Sequence, residues 1–357
     1  MKRKFECAIL NTQKTCGRNS MKVAIAGNII LDLVKRIDVY PQKGMLANIC
    51  GVSRSAGGCV CNTAIDLKRL DTSLNVSAYG RIGKDEYGEF VLEFMRREGI
   101  DVSAVVKDAR FSTSFTDVMT VQSTGERTFF QSRGANAEFL PQDVNAEALD
   151  CELFHLGYLL LLDGMDGADE EYGTRAARLL HDVQSRGIRT GIDLVSEQSD
   201  RFASVVVPAL RYCDYVVINE IEGGRLAALS PRDKNGAPDL IILEHICRRI
   251  KSFGVKKEVV LHCPELSCGI DKSGAFFILP SLQLPEGYIV GSVGAGDAFC
   301  AGMIYSFLKN MTLEEGMRLA SCMAAKNLSV SDSVSGAKPL EETLKIEKTF
   351  KRRNLQC

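Results

Sequence analysis

The segment Gly291-Ser292-Val293-Gly294-Ala295-Gly296-Asp297-Ala298-Phe299 has the residue types most suited to chemistry. Gly294 and Gly296 permit a tight turn with inward-pointing N–H groups, and a small-residue apolar helix is expected from Ala295 to Leu308. Convergent amides at a helix N-terminus attract a phosphate or a developing anion. An aspartate in that first turn, Asp297, can accept a proton from an attacking hydroxyl while the amides hold phosphoryl oxygens. An ordinary turn with an acid at the helix start accounts for the same residues equally well. The segment is not a Walker loop, because no Gly-Lys-Ser/Thr follows. Nor is it a dinucleotide fingerprint, because Phe299 stands where the third glycine would fall.

Other residues carry two readings each. Gly57-Gly58 opens a helical pattern and either approaches a ligand or only starts the helix. Asn62 is a ligand contact or a first-turn cap. Asp32 is a binding carboxylate or a surface acid at a strand end. Asn219 and Glu222 have the spacing of a capping box. Asp85 lies in a glycine-rich loop and reads as structural, and Arg127 reads as a solvent-exposed hairpin tip. The thirteen cysteines and four histidines (155, 181, 245 and 262) show no metal-site spacing, so no zinc site is expected. Cys59, at a helix start, is either a packed small side chain or a thiol with a lowered pKa.

The elements that position these residues alternate. Met21–Ala26, Asn75–Tyr79, Leu153–Leu156, Arg189–Leu194, Tyr215–Ile218 and Glu258–His262 read as short strands. Helical patterns cover Gly58–Leu70, Tyr87–Glu98, 172–186, 203–212, 239–253 and 313–329. Such alternation implies a mostly parallel sheet with crossover helices and a ligand at the strands' carboxyl ends. The hairpin at 113–131 and the β-leaning residues near 46–53 do not fit and predict a small separate sheet.

At 357 residues and 45% hydrophobic content the chain is globular and needs no disulfide staples. A net charge of −1 shows no basic excess for nucleic acid or a membrane surface. No apolar run is long enough to span a bilayer. Scattered thiols point to a reducing, cytoplasmic setting. Residues 1–20 are read as a disordered extension, 21–340 as the folded domain, and 341–357 as a charged, solvated tail.

The Gly-Ala-Gly-Asp segment resembles the second signature of the ribokinase-like (PfkB) carbohydrate kinases. Gly80-Arg81-Ile82-Gly83-Lys84-Asp85-Glu86-Tyr87-Gly88 through Asp101 is similar to their first signature. Gly57-Gly58-Cys59-Val60-Cys61-Asn62 is similar to their Gly-Gly-x-x-x-Asn, and Asn219-Glu220-Ile221-Glu222 to their Asn-x-x-Glu. All four occur in family order between Met21 and Leu340. The resemblance implies a three-layer α/β/α sandwich with a small β-sheet lid built from about 32–56 and 111–132. It implies ATP- and Mg²⁺-dependent phosphorylation of a hydroxyl, usually a hydroxymethyl, on a sugar or nucleoside. Carried over, Asp297 is the base and the amides of Gly294, Ala295 and Gly296 the anion hole. Asp32, Gly57, Gly58 and Asn62 bind the acceptor. Asn219 and Glu222 organise Mg²⁺ and phosphate through water, with Ser292 beside the nucleotide. Homodimerisation through the lid is a further implication.

Departures from the pattern set further expectations. Gly291 replaces an aspartate near the usual monovalent-cation site, so K⁺ dependence is expected to be weak or absent. His262-Cys263-Pro264 replaces Thr-x-Gly-x-x-Gly, so nucleotide contacts do not transfer there. Cys59 stands where ribokinases commonly place a lysine, which argues against ribose itself. A nucleoside kinase and a sugar-binding regulator with weak kinase activity remain alternatives. Arg54, Arg81 and Arg133 are candidates for binding an acceptor phosphate.

Overall fold

A computed structural model describes residues 20–355, so the expected extension falls outside the described residues except for Ser20. The chain opens with β1 (Lys22–Gly27), β2 (Ile30–Ile37), β3 (Ile49–Gly57), α1 (Gly58–Leu70) and β4 (Asn75–Tyr79). Helix α2 (Glu86–Arg97) and the hairpin β5 (Phe115–Val121) and β6 (Arg127–Ser132) follow. Next come β7 (Leu153–Leu159), α3 (Arg175–Ser185), β8 (Arg189–Leu194), α4 (Phe202–Leu210), β9 (Tyr215–Asn219), α5 (Glu220–Ala227), α6 (Leu240–Ser252) and β10 (Glu258–His262). Strands β11 (Leu266–Ile270) and β12 (Phe276–Pro280) precede α7 (Ala295–Leu308) and α8 (Leu313–Asn327).

An eight-stranded sheet in the order β12-β11-β10-β9-β8-β7-β1-β4 forms the middle layer. It is parallel from β4 to β10, and β11 and β12 add an antiparallel edge. Side chains alternate across each strand. In β1, Val23 and Ile25 face the apolar layer built with α1, α7 and α8, whereas Ala24 and Ala26 face the layer built with α3 to α6. Both faces are thereby covered, as a parallel sheet requires. Helices α7 and α8 pack closely because Gly302 has no side chain; a Cβ there would lie 2.5 Å from Ala320 Cα.

The small sheet is four-stranded, in the order β3-β2-β5-β6. Its strand β2 falls largely within the expected lid segment 32–56 but was not among the expected strands, because Ile30–Ile37 mixes charges into a half-exposed strand. The antiparallel edge was also missed. Its turn carries an Asx signal, with Asp271 Oδ1 accepting from Ser273 N (2.8 Å) and Ala275 N (3.0 Å).

The tail differs from the expected solvated surface. Residues Leu340–Leu344 and Ile346–Thr349 are helical, and Ile346 packs with Leu282 and Cys322. Arg352 pairs with Glu347 and donates to Pro280 O at 2.6 Å. Among the described residues, no helix is long and apolar enough to cross a membrane.

Candidate active site

Asp297 lies in the first turn of α7, behind Gly294, whose left-handed backbone (φ 77°) suits glycine. A Cβ at 294 would also meet Ser333 O at 2.5 Å. The Asp297 carboxylate is buried and held from two sides. Asn62 Nδ2 donates to Oδ2 at 2.8 Å, and the Tyr158 hydroxyl donates to Oδ1 at 2.7 Å. Burial, then the charge of Asp193, pushes its pKa up to about 7, against these two hydrogen bonds. The group is thereby poised to exchange a proton near neutrality. Ala295 N–H turns back to Ser292 O at 3.3 Å. The N–H groups of Gly294 and Gly296 have no acceptor among the described residues.

The residues expected on the acceptor side gather at the N-terminus of α1. Gly57 lies against Asp32, whose Oδ2 would be 2.3 Å from a Cβ at 57. Gly58 adopts φ 84° beneath Asn28 O. Asn62 faces Asp297 with its amide and accepts from Ser333 Oγ at 2.8 Å. Burial pushes the Asp32 carboxyl up to about 6, against a hydrogen bond from Thr116 and the charge of Arg127. Arg127 was expected in solvent. Instead it is half-buried and donates to Ser331 O at 3.0 Å, joining the small sheet to the segment after α8.

On the other side of α7's first turn lies a cavity of about 600 Å³. Ser292, Ala295 and Gly296 line it together with Asn219, Ser196 and the mainly apolar Pro264, Leu282, Phe299 and Leu328. His262 also lines it, its ring 4.8 Å from that of Phe299, and burial pushes its pKa down to about 4, leaving it neutral. Asn219 and Glu222 form the capping box. Asn219 Oδ1 accepts from Ile221 N and Glu222 N, and Glu222 Oε2 accepts from Asn219 N at 3.0 Å. Ser196 Oγ donates to Glu222 Oε1 at 2.8 Å. Burial raises the Glu222 pKa to about 7. Asn219 lines the cavity, and Glu222 is buried behind it.

The arginines considered for an acceptor phosphate are engaged elsewhere. Arg81 pairs with Asp108 and Asp143, Arg54 sits over the Phe90 ring, and Arg133 reaches Asp163. Asp85 caps α2, accepting from Gly88 N at 2.9 Å. Cys59 is not an activated thiol, since burial pushes its pKa well above the usual range. Sequence reasoning assigned no site role to Tyr158 or Asp193, which lie at the carboxyl ends of β7 and β8. Their signal was positional: a topology with ligands at strand ends marks both.

Residues 21–339 match the pattern of the pfkB family carbohydrate kinases, and the chain belongs to that family. It is a carbohydrate kinase with the ribokinase fold. It is 23% identical to the ribokinase of Schizosaccharomyces pombe over 312 residues, covering 85% of this chain and 91% of that one. It is 24% identical to the 2-dehydro-3-deoxygluconokinase of Escherichia coli over 305 residues, covering 84% and 92%. Thermotoga maritima ribokinase superposes with a TM-score of 0.74 at 18% identity, covering 92% of this chain and 99% of that one. Arabidopsis thaliana ribokinase, solved with ribose and ATP, gives 0.72 at 17%, with the same coverages.

Proposed function

We propose that this kinase transfers the γ-phosphoryl group of ATP to a hydroxymethyl oxygen of a sugar or sugar acid, with Asp297 as general base. The observation that carries the reading is the division of labour at α7's first turn. Asp297 faces Asn62 and Tyr158 on one side, while Ala295 and Gly296 line the cavity on the other. Asp297 takes the proton of the acceptor hydroxyl, and the amides of Gly294, Ala295 and Gly296 bind phosphoryl oxygens once Ala295 turns from Ser292. Asp32, Gly57, Gly58 and Asn62 hold the acceptor. The apolar cavity, of a size suited to a small ligand, takes the nucleotide base.

Mg²⁺ favours oxygen donors and keeps much of its water. The residues fit such a role: both Glu222 oxygens are occupied, so Asn219 and Glu222 would hold the ion's waters rather than the ion. Bound there, it supplies charge neutralisation for the phosphates. The ribokinase and the dehydro-deoxygluconokinases among the relatives support a sugar or sugar-acid acceptor. The nucleoside kinase reading gains no observation of its own. The well-formed cavity speaks against a sugar-binding regulator.

The small sheet acts as a lid over the acceptor and excludes water. Ile49, Val52 and Phe130 of the sheet, with Met45 and Leu46 in the loop before β3, are exposed and supply an apolar surface for homodimerisation. Light scattering tests this; a monomer at micromolar concentration removes it. For the reaction, a coupled ADP-release screen across sugars, sugar acids and nucleosides identifies the acceptor. Asp297→Asn abolishes turnover in the folded protein; near-wild-type turnover overturns the reading.

A further inference from the structure

The sequence spaces its histidines and cysteines in no metal-binding pattern, yet the fold brings four elements together beneath Asp297. Cys59 comes from the start of α1, His155 from β7, Asp193 from β8 and Cys300 from α7. Their exposures are 0%, 1%, 6% and 2%. Cys59 Sγ lies 3.7 Å from Asp193 Oδ2, and His155 Nε2 lies 3.5 Å from the same oxygen. The ligand atoms of Cys59, His155 and Asp193 all lie within 4.8 Å of one another. Cys300 Sγ is 3.6 Å from His155 Nε2, at the edge of the group.

These separations suit tetrahedral coordination. Zn–S, Zn–N and Zn–O bonds place a sulfur and an oxygen about 3.6 Å apart, and a nitrogen and an oxygen about 3.4 Å apart. A second observation points the same way. Asp193 Oδ1 is buried and makes no hydrogen bond among the described residues, which is costly for a carboxylate. The carboxylate packs directly against Gly157, where no side chain could fit. A Cβ at Gly157 would lie 1.6 Å from Asp193 Oδ1 and 2.8 Å from Cys59 Sγ.

We propose that Cys59, His155 and Asp193 form a binding site for a thiophilic divalent cation of the Zn²⁺ type, with Cys300 closing the shell after a side-chain rotation. Charge balance favours a divalent ion. Cys59 binds as thiolate and releases its proton to solvent, so thiolate and carboxylate together offset two positive charges while His155 binds neutral. Mixed sulfur and nitrogen donors disfavour Mg²⁺, which separates this site from the one proposed at Asn219 and Glu222. Asp193 keeps the residual exposure through which an ion enters. Once bound, the ion ties α1, which carries Asn62, to β7, which carries Tyr158, and so braces both partners of Asp297.

The test uses the full chain, stripped with a chelator and titrated anaerobically with Co²⁺ and then Zn²⁺. The wild type is expected to take up about one equivalent and to show a thiolate-to-cobalt charge-transfer band that Zn²⁺ abolishes. Cys59→Ser and His155→Gln each weaken Zn²⁺ binding by about a hundredfold or more, beyond the usual effect of an outer-shell change. Cys50→Ser, at an exposed thiol, leaves it unchanged. If a variant fails to fold, X-ray absorption of the Zn-loaded wild type decides: a shell with sulfur and nitrogen supports the site. No charge-transfer band in the wild type, an all-oxygen shell, or an undiminished band in folded Cys59→Ser overturns it. Activity is not the readout, so failure of this site leaves the kinase reading standing.

Discussion

Replacing Tyr158 by Phe should move the acid limb of the pH–rate profile without changing the plateau. The phenol donates to Asp297 Oδ1 at 2.7 Å and favours the ionised carboxylate, whose pKa burial has pushed up to about 7. A hydrogen bond to a charged group contributes about 1.5–3 kcal/mol. At about 1.4 kcal/mol per pKa unit, its loss raises Asp297 by about one to two units. At pH 7 the ionised fraction then falls from about one half to between about one tenth and one hundredth, so the rate drops about 5- to 50-fold. The deficit shrinks as pH rises, because the ring and its packing remain. Initial rates of ADP release at sub-saturating acceptor, measured across the pH range, report this limb as kcat/KM. An equal loss at every pH would refute the reasoning, since Tyr158 would then act by shape and not by stabilising the anion.

Asp297→Asn should inactivate and also stabilise. The folded state keeps a proton on Asp297 between the unfolded carboxylate pKa near 3.8 and the folded value of about 7, so stability falls as pH rises through that window. Removing the charge is worth roughly 4 kcal/mol above it; thermal melts at pH 8 should show a higher Tm for the variant, and a lower one contradicts the assignment. Gly57→Ala would place a Cβ 2.3 Å from Asp32 Oδ2, so the acceptor KM should rise about tenfold while the ATP KM holds. An equal rise in both counts against an acceptor role for Asp32. Gly291 contributes no carboxylate to a cation site, so rates in sodium, potassium and choline buffers should agree within about twofold. A large potassium-specific increase would reverse that expectation.

Periodicity made most of the central sheet legible. Apolar runs such as Tyr215–Ile218 are buried on both faces, and their turns and helices alternate in step. Strand β2 escaped because its charged residues, Asp32, Lys35 and Arg36, suit a strand with one open face. The tail misled because charge density alone does not reveal that Arg352 has Glu347 and Pro280 O as partners. Motif order singled out Asp297 and Asn62, which the fold brings into a hydrogen bond, and Asp32, which lies against Gly57. Tyr158, Asp193 and the grouping of Cys59 with His155 were not, because the register of β7 with β8 brings 155 and 193 together and the turn into α1 adds 59, none of which sequence spacing shows.

The capping and ligand-binding readings were hard to separate in sequence because both use the same backbone N–H groups. A helix N-terminus leaves several N–H groups without intrahelical acceptors, and a side chain or a ligand can satisfy them. The helix ends differ in how they are capped. Helix α5 is closed by its own residues: Asn219 accepts from two amides and Glu222 returns the bond to Asn219 N. Helices α1 and α7 begin at Gly57 and Gly294, neither of which offers a side-chain cap. A glycine at these positions stabilises the free helix less than Ser, Asp or Asn would. Both uncapped ends converge on one cleft, joined by the hydrogen bond from Asn62 to Asp297. At α1 the Val60 amide already donates to Asn28 O and at α7 the Ala295 amide to Ser292 O, which leaves the Gly294 and Gly296 amides without an acceptor among the described residues. The self-capped α5 is limited to contacts through its side chains and their waters.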